Sequence, residues 1–342
     1  MSTGCGPLAR VLLKARPTRE QLDDRLQAPA PEGLEFYLDG RDISAPDWLS
    51  ALLALLETCS FPPEFNYVVE GPLGSLDGQF FNVARDSDAD REVVDRLVEF
   101  GKEVRAKAAV IHCIAPGYEP FIHDRESRRV IRERALPFID RYAGMCLKQG
   151  MVPTIENIPP VAQMRQSAFM FSGLGMEPGD LLYFTDRVEG LRITFDVSHA
   201  RLYLNAVNAR PGEAGGDLAK LVQYLAGNRE VTSLEEYVKL LGNKLYEVHV
   251  SNAARLFDEG LPYDQGDMDL DLVMADLLPK AEFIVTETIE PDPNRATYMR
   301  EAQERILAVR ARLQEQGGGW RVEGGGTVFS PVLPEKNGKG LG

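Results

Sequence analysis

The sequence is poor in the features that would assign it to several common classes. Its four cysteines, at positions 5, 59, 113 and 146, form no Cys-x-x-Cys pair. Neither a thiolate zinc cluster nor a disulfide framework is expected, and buried reduced thiols are. The longest apolar stretch, "WLSALLALL" (48–56), is far too short to cross a bilayer and has the spacing of a buried helix, so no membrane association is expected. The N-terminal "MSTGCGPLARVLLKARP" lacks the apolar core and cleavage site of a secretory signal, which points to the cytoplasm. There is no Lys/Arg-dense run, and the net charge is −14, so nucleic acid is a disfavoured partner. No G-x-G-x-x-G or G-x-x-x-x-G-K-[ST] follows the first strand, which removes the usual nucleotide signatures of open α/β sheets.

What is present is a repeated alternation. Short β-rich runs occur at 10–14, 34–38, 66–70, 109–114, 151–156, 191–196, 245–250 and 282–287, with amphipathic segments between them. One segment carries Val93, Val94, Leu97, Val98 and Val104; another carries Leu234, Tyr237, Val238 and Leu241, after a Ser233/Glu236 capping-box spacing. A last helix is expected from about Asn294 to Gln316, ended by glycines 317–319. Eight strands alternating with helices predict a (β/α)8 TIM barrel over 1–316, with a doubly wound open sheet as the second choice. Residues 317–342 read as a Gly/Pro-rich tail. The connection from Asn157 to Gly190 reads equally as a lid or as a barrel helix with a ragged loop.

In such a barrel the chemistry sits at the C-terminal strand ends. Those ends carry Glu70, His112, Glu156, Asp196 with His199, His249 and Glu287, which includes three of the four histidines. Each alone is ordinary, but together they would repel or pay desolvation unless a cation joined them. Oxygen and imidazole donors without thiolate suit one divalent ion: Mn²⁺, Co²⁺, Zn²⁺, Mg²⁺ or Fe²⁺. His123, beyond the fourth strand, is expected to be solvated. Trp48 and Trp320 are expected to pack rather than stack on sugars. Glu290 competes with Glu287 for the last strand end.

The ordered motifs "TIEN", "FDVSH", "VHVSN" and "VTE" resemble those of the xylose isomerase-like barrel superfamily over about 34–313. That superfamily holds sugar isomerases and epimerases and the endonuclease IV type of DNA-repair enzyme. The resemblance implies Glu156, Asp196, His249 and Glu287, on the fifth to eighth barrel strands, as ligands of one metal. Glu156 and Glu287 then serve as the paired acid/base groups around a metal-stabilised enediolate, and His199 and Arg255 contact a sugar or polyol substrate. His112 matches a strand-four histidine that could contact substrate or, with Glu70, a second metal. The DNA-repair branch needs further imidazoles, but Glu70 stands on the third strand, and the expected loop Asp-x-His becomes Asp258 and Gly260. Two alternatives therefore stand behind an isomerase or epimerase: a DNA-repair hydrolase, and a non-catalytic barrel in a biosynthetic pathway. The substrate's phosphorylation and the oligomeric state, homo-oligomer included, stay open.

Overall fold

A computed structural model describes residues 7–117, 124–163, 169–210 and 212–315. Its strands are β1 (Arg10–Ala15), β2 (Gly33–Tyr37), β3 (Asn66–Glu70), β4 (Ala108–His112), β5 (Pro116–Gly117), β6 (Val152–Glu156), β7 (Val161–Gln163), β8 (Phe169–Ser172), β9 (Arg192–Asp196), β10 (Leu245–Val250), β11 (Asn252–Ala254), β12 (Asp258–Leu261) and β13 (Phe283–Thr286). Of these, β1, β2, β3, β4, β6, β9, β10 and β13 pair in parallel, and β1 closes the ring by pairing with both β2 and β13. The fold is the expected (β/α)8 barrel, and all eight expected runs supply its strands.

Strand alternation explains the layers. On β1, Val11, Leu13 and Ala15 join the large core between sheet and helices, while Leu12 points into the lumen. The lower lumen is apolar, filled by Leu12, Val68, Ala108, Val110, Phe283 and Val285. Above this plug the inward positions change character: Lys14, Glu35, Glu70, Glu156, Glu247 and His249 are all buried. The barrel therefore has a packed floor that fixes strand register and a charged upper lumen.

The helices start where the sequence offers caps. Ser87 accepts from Asp90 N and opens the helix Asp88–Glu103, whose Val93, Val94, Leu97 and Val98 are buried. Ser233 accepts from Glu236 N and opens Leu234–Leu241; the Glu236 carboxylate reaches Thr232 N instead, so only half of the expected capping box forms. The last helix spans Thr297–Glu315. Glu290 accepts from the Tyr298 and Met299 amides at its start, which commits that carboxylate to the helix end. Trp48 is buried beneath the Arg96 guanidinium, as packing requires. Cys113 and Cys146 are buried free thiols and Cys59 is half-buried. Cys5, His123, Trp320 and the tail 317–342 lie outside the described residues.

The described part of the 157–190 connection includes the expected barrel helix. It forms the antiparallel pair β7–β8, to which β5 adds, and then the helix Pro178–Thr185. Gly175, at φ +87°, makes the tight return: a Cβ there would lie 2.2 Å from the Cys113 carbonyl oxygen. The segment is tied down by a buried ion network. Arg128 Nη2 donates to Asp180 Oδ2 at 2.6 Å, Arg132 Nε donates to Asp180 Oδ1 at 2.7 Å, and Arg128 also pairs with Glu177. Among the described residues, no helix is long and apolar enough to cross a membrane.

Candidate metal centre

Four consecutive staves deliver the four expected ligands to one place. Glu156 and Asp196 end β6 and β9, His249 stands one residue before the end of β10, and Glu287 follows β13. One donor atom from each lies within 4.8 Å of all the others, with Glu156, Asp196 and His249 buried and Glu287 partly open. Donor–metal bonds of about 2.1 Å would need only a small contraction of this ring.

The atoms' own bonding fits a cation. His249 Nδ1 lies 2.7 Å from Glu287 Oε2 and 3.3 Å from Glu156 Oε1. Yet neither His249 Nδ1 nor Glu287 Oε2 has a hydrogen-bond partner. Buried polar atoms are otherwise almost always satisfied, and a cation would satisfy these crowded, unbonded ones. The other imidazole nitrogen, Nε2, lies 3.0 Å from Glu35 Oε2, the carboxylate–histidine arrangement that orients a metal-binding ring. Burial opposes charge on His249, but Glu35, Glu287 and Glu156 outweigh it and hold its pKa well above the imidazole norm.

Local structure fixes the remaining groups. Asn157 bridges the strand ends: its Oδ1 accepts from Asp196 N at 2.7 Å and its Nδ2 donates to the Asp196 carbonyl at 2.9 Å. Asp196 caps the next helix by accepting from His199 N at 2.7 Å through Oδ1, which leaves Oδ2 for the centre. Burial raises the Asp196 pKa, against the pull of His199 and with Glu287 and Glu156 adding to it. His199 Nδ1 lies 2.8 Å from the Asn157 carbonyl, and Nε2 lies 3.8 Å from both Asp196 Oδ2 and Glu259 Oε2. Burial disfavours its charge, but Asp196, Glu156 and Glu259 lift its pKa to about 9.

His112 is also drawn in, though between carboxylates rather than at the opening. Its Nε2 lies 3.1 Å from Glu70 Oε1 and 3.3 Å from Glu156 Oε2. Glu70, His112 and Glu156 form a second group of convergent donors that shares Glu156 with the first. Arg255 is not brought in. It sits in a left-handed turn at φ +54° with an 85%-exposed side chain, paired to Asp258 Oδ2 at 2.7 Å.

Four residues absent from the sequence reading complete the site. Lys14, next to last on β1, sets its ammonium against Glu70 and Glu287 and 3.6 Å from Glu35 Oε1. Burial opposes the Lys14 charge, yet Glu287, Glu70, Glu35 and Glu156 hold its pKa well above the usual. Burial likewise works against the Glu287 carboxylate, and Lys14 and His249 prevail, holding its pKa well below the carboxylate norm. Glu35 and Glu247 sit one layer deeper. Burial, reinforced by Glu35, pushes the Glu247 pKa well above the ordinary range, and it accepts from Thr194 Oγ1 at 3.1 Å. Glu259, on the β11–β12 hairpin, reaches back to within 3.8 Å of His199 Nε2. Burial lifts its pKa to about 7 despite His199. Two-residue periodicity gives the first three: Lys14 is two after Leu12, Glu35 two before Tyr37, and Glu247 two before His249. Nothing local marks Glu259, which depends on the hairpin folding back.

No protein-family model matches the sequence, and no curated protein does. Solved structures do match. A D-tagatose 3-epimerase-like protein aligns at 17% identity and a TM-score of 0.56, covering 89% of this chain and 99% of its own. An L-ribulose 3-epimerase aligns at 11% identity and 0.55, covering 93% of this chain and all of its own. An AP endonuclease, family 2, from Brucella melitensis aligns at 12% and 0.52, covering 86% and 99%. These likenesses, at such identities, are likenesses of fold: the chain folds as a (β/α)8 TIM barrel, as those proteins do.

Proposed function

We propose that this xylose isomerase-like barrel is a divalent-metal-dependent isomerase or epimerase of a small sugar or polyol. The observation that carries the reading is the convergence of Glu156, Asp196, His249 and Glu287 on one point at the C-terminal rim. A bound ion there would act as a Lewis acid toward the carbonyl and neighbouring hydroxyl of the substrate.

The chain's own groups supply the rest. Glu287 is held ionised, the form required of a base, and is the most open of the four, with 30% of its side chain exposed. Glu156 faces the same point from β6, with β9 and β10 standing between it and β13, and His112, whose pKa is raised by Glu156 and Glu70 against burial, can place a proton on Glu156 Oε2. The pair can thus remove a proton beside the carbonyl and return one. His199 Nε2 and Glu259 line the opening, where a charged donor and a carboxyl poised near neutrality can grip sugar hydroxyls. Arg255 reaches the substrate only by leaving Asp258, an exposed pair whose rupture costs under about 1 kcal/mol.

The test is solvent-deuterium exchange by metal-loaded protein, screened over sugars, inosose-type polyols and their phosphates. Exchange into at least one substrate is expected, and Glu156→Gln should abolish it. A folded, metal-loaded protein that exchanges nothing but cleaves an abasic duplex would overturn the reading in favour of a DNA-repair hydrolase.

A further inference from the structure

Of the four ring donors, Glu287 is the one that no barrel strand carries. It follows β13, which ends at Thr286, and 30% of its side chain is exposed, whereas Glu156, Asp196 and His249 stand on strands and are buried. Its carboxylate is held from a neighbouring strand instead. β1 pairs with β13 through Leu13 and Thr286, so that one residue further on Lys14 stands beside Glu287, and it pairs with β2 through Lys14 and Glu35. The Lys14 ammonium donates to Glu287 Oε1, while Glu287 Oε2 lies 2.7 Å from His249 Nδ1 in the ring. The same ammonium contacts Glu70 Oε2 and lies 3.6 Å from Glu35 Oε1. Glu70 and Glu35 are both fully buried, on β3 and β2, so their pull fixes the ammonium within the lumen.

We infer that Lys14 is a positioning residue of the metal centre, holding Glu287 by Oε1 so that the carboxylate offers the ring its other oxygen. The inference rests on the four-donor reading above. A glutamate beyond the end of its strand is free to turn about its side-chain bonds, and turning carries Oε2 away from the shared point. Fixing the other oxygen removes that freedom before an ion arrives. Three carboxylates surround the three protons of the ammonium, and of these only Glu287 belongs to the four-donor ring, so the ring is where loss of Lys14 is read. Removing the ammonium has two effects of opposite sign. Loss of the partner that orients a ligand weakens metal binding about 10–100-fold, whereas loss of a like charge tightens it. The second effect is blunted here, because buried carboxylates deprived of their cation take up a proton instead.

The experiment is Mn²⁺ titration of the full-length protein, with the free ion read by electron paramagnetic resonance, for wild type, Lys14→Met, Glu287→Ala and the double variant, each checked for folding by thermal melt. Lys14→Met should bind Mn²⁺ about 10–100-fold more weakly than wild type. Glu287→Ala should also bind more weakly, and adding Lys14→Met to it should weaken binding by less than about threefold further, because the residue that Lys14 positions is gone. Lys14→Gln serves where Lys14→Met does not fold. Equal weakening by the Lys14 change in both backgrounds, or unchanged or tighter binding in a folded Lys14 variant, would overturn the inference while leaving the four-donor site standing. A wild type that binds no Mn²⁺ would remove that site and the inference together.

Discussion

Two buried ionic groups in this chain differ in their arithmetic. Beside the β7–β8 hairpin, Arg128 and Arg132 face Glu177 and Asp180, two cations against two anions, and both Asp180 oxygens accept hydrogen bonds. In the upper lumen, Glu35, Glu70, Glu156, Asp196 and Glu287 face Lys14, His112, His199 and His249, and Glu70, Glu156 and Glu287 keep oxygens without a hydrogen-bond partner. A perturbed pKa does not separate the two: burial sets both Glu177 and Glu259 at about 7. Charge surplus does. A balanced network is a structural clamp, whereas a surplus of acid waits for a cation.

That contrast is open to attack by mutation. The largest effect is expected in the clamp: Asp180→Ala strands two arginines and should cost about 3–5 kcal/mol, measured by urea unfolding, with metal content unchanged. A loss of metal with little loss of stability would reverse the assignment. Next comes a pH effect. The folded pKa of Glu177 lies above its unfolded value of about 4.5, so its contribution is fully present below that value and is lost as pH rises through about 7. Relative to Glu177→Gln, wild type should therefore lose up to about 3 kcal/mol between pH 4.5 and 7.5, at ~1.4 kcal/mol per pKa unit. A constant difference across that range would contradict the buried-carboxyl account. The smallest effect has the opposite sign. Asp196→Asn keeps a helix-capping oxygen but removes one surplus charge, so the metal-free protein should gain about 1 kcal/mol in chelator. Destabilisation like that of Asp180→Ala would mean the lumen, too, is charge-balanced.

Much of this was legible in the sequence, for a physical reason. Strand period and strand-end position are local properties, so the eight staves and the strand-end set Glu70, His112, Glu156, Asp196, His199, His249 and Glu287 could be read from short runs, while the choice of four among them came from the resemblance of motifs. Lys14 and Glu35 were passed over because each sits where an apolar run begins or ends, and a charged residue there reads as a boundary. Only closure of the barrel turns both into the lumen, where Lys14 Nζ comes within 3.6 Å of Glu35 Oε1. Glu259 was hidden because its place is set by hairpin geometry, including Gly260 at φ +67°. Arg255, matched by motif, is turned outward by its own left-handed backbone. The rival Glu290 was settled by the Tyr298 and Met299 amides, which no spacing rule reveals.

The most direct measurement is anomalous diffraction from crystals of the full chain soaked in Mn²⁺. One strong peak is predicted, bonded to Glu156, Asp196, His249 and Glu287 and lying on the far side of Glu287 from Lys14. No peak at those four side chains, or a peak only elsewhere, would contradict the account.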